Sequence, residues 1–340
     1  MHEVSMTEDR NRWTQDARQK RLWQRQQILR TIREDLYSEG FLEVETPLLV
    51  KGTCPDVHIE SVQTASSYLV TSTEYQIKRM IVGGFEKLFT LTKNFRAGDV
   101  GRYHSAEFTM LEWARTGRTL HDIEEDAIRF IRKAFNELYP DKTSVLFNGY
   151  DIDIMSKPWE RLTVREAFKK HLDLDDLADF SLTPLLEACK KSDVSLPASF
   201  EQDKYLVMSY LFDLLQRHLG NTTPTFLLEW PAYLTTSAPI STDDPHAAVR
   251  SELYIAGIEV ADGFPFLTDS NLQRTLFAQE QALRSNTGKQ QVILDEKFLN
   301  SLDEGMPNGA GMALGMDRLV MILTSASKLA DVQTFSWDEV

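Results

Sequence analysis

The segment GAGMALGMDRLVM, residues 309–321, joins a run of small residues to an apolar stretch with helical character. Small residues allow a ligand to approach the backbone closely, and the N-terminus of a helix favours anions. Arg318 falls in the first turn of this predicted helix, directly after Gly315 and Met316-Asp317. A guanidinium group holds phosphate through its planar fork of donors. The segment therefore predicts one half of a phosphate-binding site.

A second arginine, Arg96, ends a predicted strand far upstream. A polar loop follows it, and the chain returns as the strand-like segment 107–113, so we predict a β-hairpin with a long tip. Arg96 is suited to hold a phosphate, and Phe108 offers a ring on which adenine could stack. The alternative is structural, since glycine-rich turns and hairpin arginines most often serve packing and surface charge. Together the two arginines predict one ATP-binding site.

A third segment, EGFLEVETPLL at residues 39–49, follows a long amphipathic helix. In their order and spacing, the three segments resemble motifs 1, 2 and 3 of the class II aminoacyl-tRNA synthetases. The stretches 71–79, 107–113 and 264–269 resemble the lysyl-tRNA synthetase subgroup. Within that subgroup the chain is most similar to the short ligases that attach lysine to elongation factor P. The resemblance extends from about Gln24 to Glu339.

This resemblance implies an α+β class II synthetase fold, an antiparallel sheet flanked by helices. We expect an N-terminal helical segment at 1–39, a catalytic domain at 40–340, and a helical insertion at about 161–220. Lysyl-tRNA synthetases carry an anticodon-binding barrel before the catalytic domain. The motif-1-like segment begins near Glu39 and leaves no room for one, so we expect no anticodon-binding domain and an acceptor other than tRNA.

Hydrophobic periodicity predicts a helix over residues 12–39 and another over 121–139. The predicted apolar stripe of the first helix comprises Leu22, Ile28, Leu29, Ile32, Leu36 and Tyr37. Motif 1 forms a dimer contact in the family, so the resemblance implies a homodimer. The sheet is expected to resume at 225–230.

Composition limits the function classes. The chain has 340 residues, 42% of them hydrophobic, and a formal net charge of −14. Such a charge repels nucleic acid unless basic residues are clustered. The dense basic run at residues 18–21, with Arg25 and Arg30, is interpreted as a solvated helix face or as a docking strip for an acidic protein. The two cysteines lack the spacing of a zinc site.

Neither a membrane span nor an export signal is predicted, because the apolar runs are short and the N-terminus is polar and charged. We therefore expect a cytoplasmic protein.

The chemistry that the resemblance implies is adenylation, in which a carboxylate attacks the α-phosphorus of ATP and pyrophosphate leaves. This reaction requires cations that neutralise and position the triphosphate of ATP. Arg96 would hold the α-phosphate and Arg318 the γ-phosphate, and both are the catalytic candidates. Glu252 and Glu259 match the family's magnesium ligands. Further ATP contacts are expected from Asp99, His104, Phe108, Glu259, Val260 and Gly315.

The amino-acid pocket matches the family in part. Its candidates are Ser72, Glu74, Glu112, Ala114, Asp262 and Phe266. Glu74 matches the residue that takes the α-ammonium, and Glu112 lines the same pocket. Ala114 stands where the lysine-specific family has tyrosine, and Phe266 where it has the glutamate that pairs with the ε-ammonium. An unpaired buried ammonium costs several kcal/mol, about enough to abolish lysine selectivity. Asp262 is the candidate replacement charge.

Motif 2 also departs from the family, which usually reads Arg-Asn-Glu where this chain has Arg96-Ala97-Gly98. Asp99, one residue later, is the candidate substitute for the missing glutamate.

Three hypotheses follow. The first is an ATP-dependent ligase that forms an aminoacyl-adenylate and transfers lysine or β-lysine to a lysine of elongation factor P. The second is a relative that activates another amino acid for a small-molecule or carrier-protein acceptor. The third is a non-catalytic regulator, which would have no need of Arg96, Glu252, Glu259 and Arg318.

Overall fold

The computed structural model describes residues 16–175, 177 and 179–340. The strands in chain order are β1 (Leu42–Glu43), β2 (Leu49–Val50), β3 (Tyr68–Leu69), β4 (Lys87–Phe95), β5 (Glu107–Thr116), β6 (Ser144–Phe147), β7 (Tyr150–Asp153), β8 (Glu160–Thr163), β9 (Thr225–Pro231), β10 (Ala247–Ile255), β11 (Ile258–Pro265) and β12 (Gly309–Gly315). The helices are α1 (Asp16–Ser38), α2 (Glu74–Val82), α3 (Leu120–Leu138), α4 (Val164–Leu172), α5 (Leu182–Lys191), α6 (Lys204–Leu215), α7 (Ser270–Asn286), α8 (Glu296–Asp303) and α9 (Met316–Leu323).

Eight strands form one sheet in the order β1-β4-β5-β12-β11-β10-β9-β8. The six central strands pair antiparallel, and β1 and β8 add a parallel strand at each edge. The predicted α+β class is confirmed, and the sheet is mixed at its edges rather than wholly antiparallel. The order of strands in the sheet places β12 between β5 and β11, so the two arginine-bearing segments become neighbours.

Alternation along β5 separates the two faces of the sheet. Leu111 and Trp113 point into the main core with α1, α3 and α9. Phe108, Met110, Glu112 and Ala114 occupy the alternate positions and line a cavity on the other face. The sheet therefore supports the core with one face and a polar site with the other.

Helix α1 packs through Ile28, Ile32 and Leu36, whose spacing of four residues makes one buried stripe. Tyr37, predicted to belong to this stripe, is 49% exposed, since the next residue along a helix points about 100° away. Asp35, also on α1, is buried. Its carboxylate accepts hydrogen bonds from two side chains of α3, Arg129 Nε at 3.0 Å and Lys133 Nζ at 2.5 Å.

The start of α3 is fixed by Thr119, which forms a reciprocal capping box with Asp122. Helices α4 to α6 bury their apolar residues in a separate core between 164 and 254. The helical character expected from residue 161 begins at Val164, because 160–163 form β8. The strand expected at 225–230 is β9.

The arginines of α1 form ion pairs and differ in exposure. Arg18 pairs with Glu339 at 2.9 Å, and Arg30 with Glu137 at 3.1 Å. Arg21 lies 3.8 Å from Asp331. Lys20 and Arg30 are exposed, as a solvated face requires, whereas Arg18 is tied to a carboxylate elsewhere in the chain. The docking strip for an acidic protein stays a prediction.

Candidate active site

A cavity of about 670 Å³ opens on the face of the sheet opposite the main core. Its walls come from β5, β10, β11 and β12, from α2, and from the hairpin tip between β4 and β5. It is lined by every residue predicted for the site, namely Ser72, Glu74, Arg96, Asp99, His104, Phe108, Glu112, Ala114, Glu252, Glu259, Val260, Asp262, Phe266, Gly315 and Arg318. The structure thus brings together residues that are dispersed along the chain, although their roles remain predictions.

Arg318 lies in the first turn of α9 and makes three contacts, with β11 and with the hairpin tip. Its Nη1 donates to the Glu259 carbonyl at 2.7 Å, and its Nε donates to the Tyr103 carbonyl at 3.2 Å. Its Nη2 lies 2.8 Å from Nε2 of His104. Burial, and then the Arg318 charge, lower the pKa of His104, so the neutral ring accepts this hydrogen bond at neutral pH.

Arg96 is held differently. Its guanidinium lies 5.3 Å from the centroid of the Phe108 ring, and its backbone N–H donates to the Ala106 carbonyl at 2.9 Å. Its Nε atom is buried and finds no hydrogen-bond partner among the described residues. Because buried donors are normally satisfied, this group is available to an acceptor on a molecule bound in the cavity.

Three carboxylates form a row across the sheet. Register places Glu112 beside Ala313, Ala313 beside Asp262, and Asp262 beside Glu252. The small side chain of Ala313 leaves the space above the row open. The row runs perpendicular to the strands and divides the cavity floor.

Arg250 holds the far end of this row. It donates to Asp262 at 2.8 and 3.1 Å and to Glu252 at 2.6 Å, and its guanidinium lies 4.7 Å from the Trp230 ring. Burial raises the pKa of Asp262 and of Glu252 against the lowering effect of Arg250. Asp262, predicted as a replacement charge for a substrate ammonium, is therefore committed to a cation of the protein.

Glu112 has hydroxyl partners and no charged one among those recorded for the described chain. Ser72 Oγ donates to Oε1 at 2.6 Å, and Thr73 Oγ1 donates to Oε2. Burial raises the pKa of Glu112 to about 7, despite these two hydrogen bonds. Glu112 is consequently able to take a cationic group of a ligand when it is ionised.

Glu74 is the first residue of α2. It forms an ion pair with Lys78, one helical turn further along, whose Nζ lies 2.5 Å from Oε1. The Lys78 ammonium is buried and lies 5.3 Å from the centroid of the Phe264 ring. The Glu74 side chain keeps 27% of its surface exposed, so a ligand ammonium has access to it.

The end of the pocket beyond Glu112 is apolar. Ala114 and Phe266 are both buried, and they belong to the same cluster. Phe266 lies against β12, where a Cβ at Gly309 would come within 2.5 Å of its ring. Glycine at 309 is therefore what allows the ring to lie there.

A buried network joins α1 to both arginine-bearing segments. Arg25 Nη1 lies 2.6 Å from Asp317 Oδ1, and Arg25 Nη2 donates to Thr109 Oγ1 at 3.0 Å. The Thr109 backbone N–H donates to Asp317 Oδ2 at 2.8 Å. Because Thr109 follows Phe108 and Asp317 precedes Arg318, the network fixes the spacing between these two cavity-lining residues.

Sequence reasoning missed Arg250, Lys78 and Arg25 as parts of the site. Lys78 follows Glu74 by four residues, and Arg250 precedes Glu252 by two on one strand, so spacing alone could have indicated both. Arg25 gave no such signal, because its partner is distant in sequence.

A family model described as tRNA synthetases class II (D, K and N) matches residues 2–339. The chain belongs to this class II synthetase family. The predicted family and the predicted fold class are therefore confirmed.

Curated relatives within the synthetase family include the elongation factor P–(R)-β-lysine ligase of Salmonella arizonae, 35% identical over 337 residues. The ligase of the same name from Salmonella paratyphi B is 34% identical over 337 residues. Each alignment covers 96% of this chain and 98% of the relative.

Two kinds of feature are absent from residues 16–175, 177 and 179–340. Within these residues, no helix is long and apolar enough to cross a membrane. The same part of the chain shows no group of three metal-ligating side chains arranged around a common point.

Proposed function

We propose that this protein is an ATP-dependent, AMP-forming ligase that transfers lysine or β-lysine to a lysine of elongation factor P. The observation that carries the proposal is the buried, unpaired Nε of Arg96 on the Phe108 ring, in one cavity with Arg318. The relatives' names supply the amino acid and the acceptor.

The site residues fit ATP. Adenine would stack on Phe108, and Arg96 and Arg318 would hold the phosphates from opposite sides of the cavity. Val260, Gly315 and neutral His104 line the space between them. Asp99 lies on the same loop and is the proposed partner of the adenine amino group.

The residues also fit magnesium. Burial raises the pKa of Glu252 and of Asp262, and the nearby Glu259 carboxylate raises both further, while Arg250 is the cation that these two share. Three carboxylates close together around one arginine leave room for a further cation. Magnesium is commonly held by one or two carboxylates together with substrate phosphates, so we propose Glu252 and Glu259 as its ligands. When bound, it would neutralise phosphate charge.

Adenylation in this geometry requires positioning more than proton transfer. The substrate carboxylate attacks the α-phosphorus, a new P–O bond forms, and the bond to pyrophosphate breaks. Arg96 stabilises the charge on the α-phosphate, while Glu74 orients the substrate through its α-ammonium. The acceptor amine then attacks the carbonyl carbon, and AMP leaves.

Lysine or β-lysine has one remaining partner for its side-chain ammonium. Glu112 lies beside Ala114 on the floor of the pocket and has no protein cation among its recorded partners. Binding of an ammonium there would favour the ionised carboxylate. Glu112 is thus the proposed anchor of the substrate side chain.

A second candidate is supported by Ala114 and Phe266. The pocket end carries no hydroxyl or carboxylate at these positions, and Asp262 is engaged by Arg250. An amino acid with a less basic side chain, destined for a small-molecule or carrier-protein acceptor, would match this apolar end.

The deciding experiment is ATP–pyrophosphate exchange with a panel of lysine, β-lysine, ornithine, neutral and acidic amino acids. Exchange with lysine or β-lysine, followed by labelling of elongation factor P, supports the first candidate. Exchange with a neutral amino acid alone supports the second. Absence of exchange with every amino acid contradicts a ligase and favours a non-catalytic regulator.

The protonation of Glu112 gives a pH prediction. Because its pKa is about 7, the carboxylate that pairs with lysine is depleted at pH 6 and dominant at pH 8. We expect KM for lysine to fall as pH rises, by at most about tenfold per unit below the pKa. The KM for lysine, determined by ATP–pyrophosphate exchange at pH 6, 7 and 8, tests this prediction. Glu112→Gln should remove the dependence, and an unchanged pH profile in that variant would contradict the assignment.

We further propose a homodimer through α1 and the segment that follows it. Trp23, Tyr37, Leu42, Leu48 and Leu49 are large apolar side chains that remain exposed in this region. Exposed apolar patches of this kind mark interaction sites. Sedimentation equilibrium, with Trp23→Lys as a disrupting variant, tests the proposal.

We propose that tRNA is not the acceptor. The net charge of −14 and the internal pairing of the α1 arginines support this. The proposed acceptor acts in translation, which would place the enzyme in the cytoplasm. Lack of tRNA charging under conditions that modify elongation factor P is the expected result.

A further inference from the structure

One side of the cavity is not used by the proposed ATP, magnesium or amino-acid contacts. Four residues of α6 line it, with the spacing of one helical face: Tyr205, Ser209, Phe212 and Asp213. The other face of α6 is buried in the core of the insertion through Val207, Met208, Leu211 and Leu215. Helix α6 is therefore fixed from behind and presents its second face to the cavity.

The end of β9 and the segment that follows it continue this wall. Phe212 stacks on Trp230 with ring centroids 4.5 Å apart and an interplanar angle of 13°. Tyr205 meets Tyr233 edge-on at 5.2 Å. Trp230 and residues 234–237 line the cavity beside α6. We call α6 together with residues 230–237 the aromatic wall.

The aromatic wall already binds an ammonium group. Lys204 Nζ lies 4.1 Å from the centroid of the Tyr233 ring and 5.3 Å from that of Tyr205. Aromatic faces attract such cations, and the attraction grows as water is excluded. The chain itself thus shows what chemical group these rings accept.

The surrounding charges also favour a cation. Asp213 lies on the cavity face of α6, and burial together with the carboxylates of Glu280 and Asp203 raises the pKa of the Tyr205 phenol. Across the opening, Asp56 lines the cavity and the Val57 N–H donates to Glu280 Oε2 at 2.9 Å. Lys204 faces this group from α6, and the charges of His58 and Arg284 act on Glu280. Asp213 has no recorded ion pair among the described residues, so it is the carboxylate of the wall that is open to a further cation.

We propose that the aromatic wall is the entrance for the lysine side chain of the protein acceptor. This inference rests on the proposed ligase function. Asp213 and the neighbouring carboxylates attract the acceptor ammonium, and the aliphatic stem lies against Tyr205 and Phe212. The amine reaches the adenylate in its neutral form. It forms the amide bond as the bond between the carbonyl carbon and the AMP oxygen breaks, and its proton is released to solvent.

The test separates the two half-reactions in Asp213→Lys and Tyr205→Ala. ATP–pyrophosphate exchange reports adenylation, and hydroxylamine traps the adenylate without needing the wall. Elongation factor P and Nα-acetyl-lysine methylamide serve as acceptors that carry a lysine side chain. We expect both variants to keep exchange and hydroxamate formation within about twofold and to lose about tenfold or more in kcat/KM for the lysine acceptors.

The matched control is Glu187→Lys on α5, which makes the same charge change on an exposed residue outside the cavity. It should leave every rate unchanged. Asp213→Asn serves as a milder second variant if the lysine substitution unfolds the insertion, and thermal unfolding checks this.

Unchanged transfer to lysine acceptors in the variants would overturn the inference while leaving the ligase intact. A parallel loss of exchange and transfer would also overturn it, because the wall would then serve adenylation. If the unmodified protein catalysed exchange but transferred the amino acid to neither acceptor, the inference would also be overturned. Absence of exchange in the unmodified protein would overturn the ligase function itself, and this inference with it.

Discussion

Replacement of Arg96 by alanine is expected to lower kcat for amino-acid-dependent ATP–pyrophosphate exchange by a factor of about 100 to 1000. Arg96 faces the position proposed for the α-phosphate, where charge develops as pyrophosphate leaves. Its buried Nε has no protein partner among the described residues, so the substitution breaks no recorded side-chain hydrogen bond of that atom. The loss should therefore appear in the rate rather than in stability.

Steady-state exchange and thermal unfolding of the same samples provide the measurement. The matched control is Lys93→Ala, which removes a half-exposed cation from β4 whose ion pair with Glu107 lies outside the cavity. This variant should keep full exchange. If Arg96→Ala retained kcat, or lost it only in proportion to a loss of folded protein, the arginine would have a structural role and the proposed function would lose its main support.

The second large effect is expected at the apolar end of the amino-acid pocket. Phe266→Glu should raise kcat/KM for lysine by about ten- to a hundredfold, since a charge-assisted hydrogen bond contributes about 1.5–3 kcal/mol. The new carboxylate would stand near Glu112 and Ala114 and give the side-chain ammonium a second partner. In the absence of lysine it would be a buried, unpaired charge, so the variant should be less stable until lysine is added.

Phe266→Gln is the control for this substitution because it has the same shape as the glutamate variant without the charge. Pyrophosphate exchange with lysine and with a neutral amino acid of similar length distinguishes the two. The glutamate variant should favour lysine, and the glutamine variant should gain nothing. Equal kcat/KM for lysine in both variants would mean that position 266 does not face the substrate side chain.

Local patterns predicted those parts of the fold that depend on neighbours in sequence. The hairpin was readable because two strand-like segments flank a polar tip, and α9 was readable from its apolar period after a run of small residues. Family resemblance then brought the separate segments into one site. The cavity contains every residue so named, although their roles still await the experiments above.

The remaining features depend on register and on contacts between distant segments. Arg250 reaches Asp262 only because β10 and β11 pair with an irregularity between Leu253 and Tyr254, which no local pattern in either strand indicates. The pairing of Asp262 with Arg250 could not be predicted from the sequence for this reason, and its role toward the substrate stays a prediction. Likewise, the ion pairs of Arg18 and Arg25 could not be predicted, because their carboxylate partners lie near the other end of the chain.

The alternation along β5 has an evolutionary consequence. Phe108 and Ala114 lie on the same face of one strand, six residues and therefore about 20 Å apart, so the proposed nucleotide end and the amino-acid end are far from each other on a rigid support. Substitutions at one end leave the other unstrained. After gene duplication, a copy could change the amino acid it selects through one or two mutations and inherit adenylation intact, so new ligases can diverge in specificity without passing through an inactive intermediate.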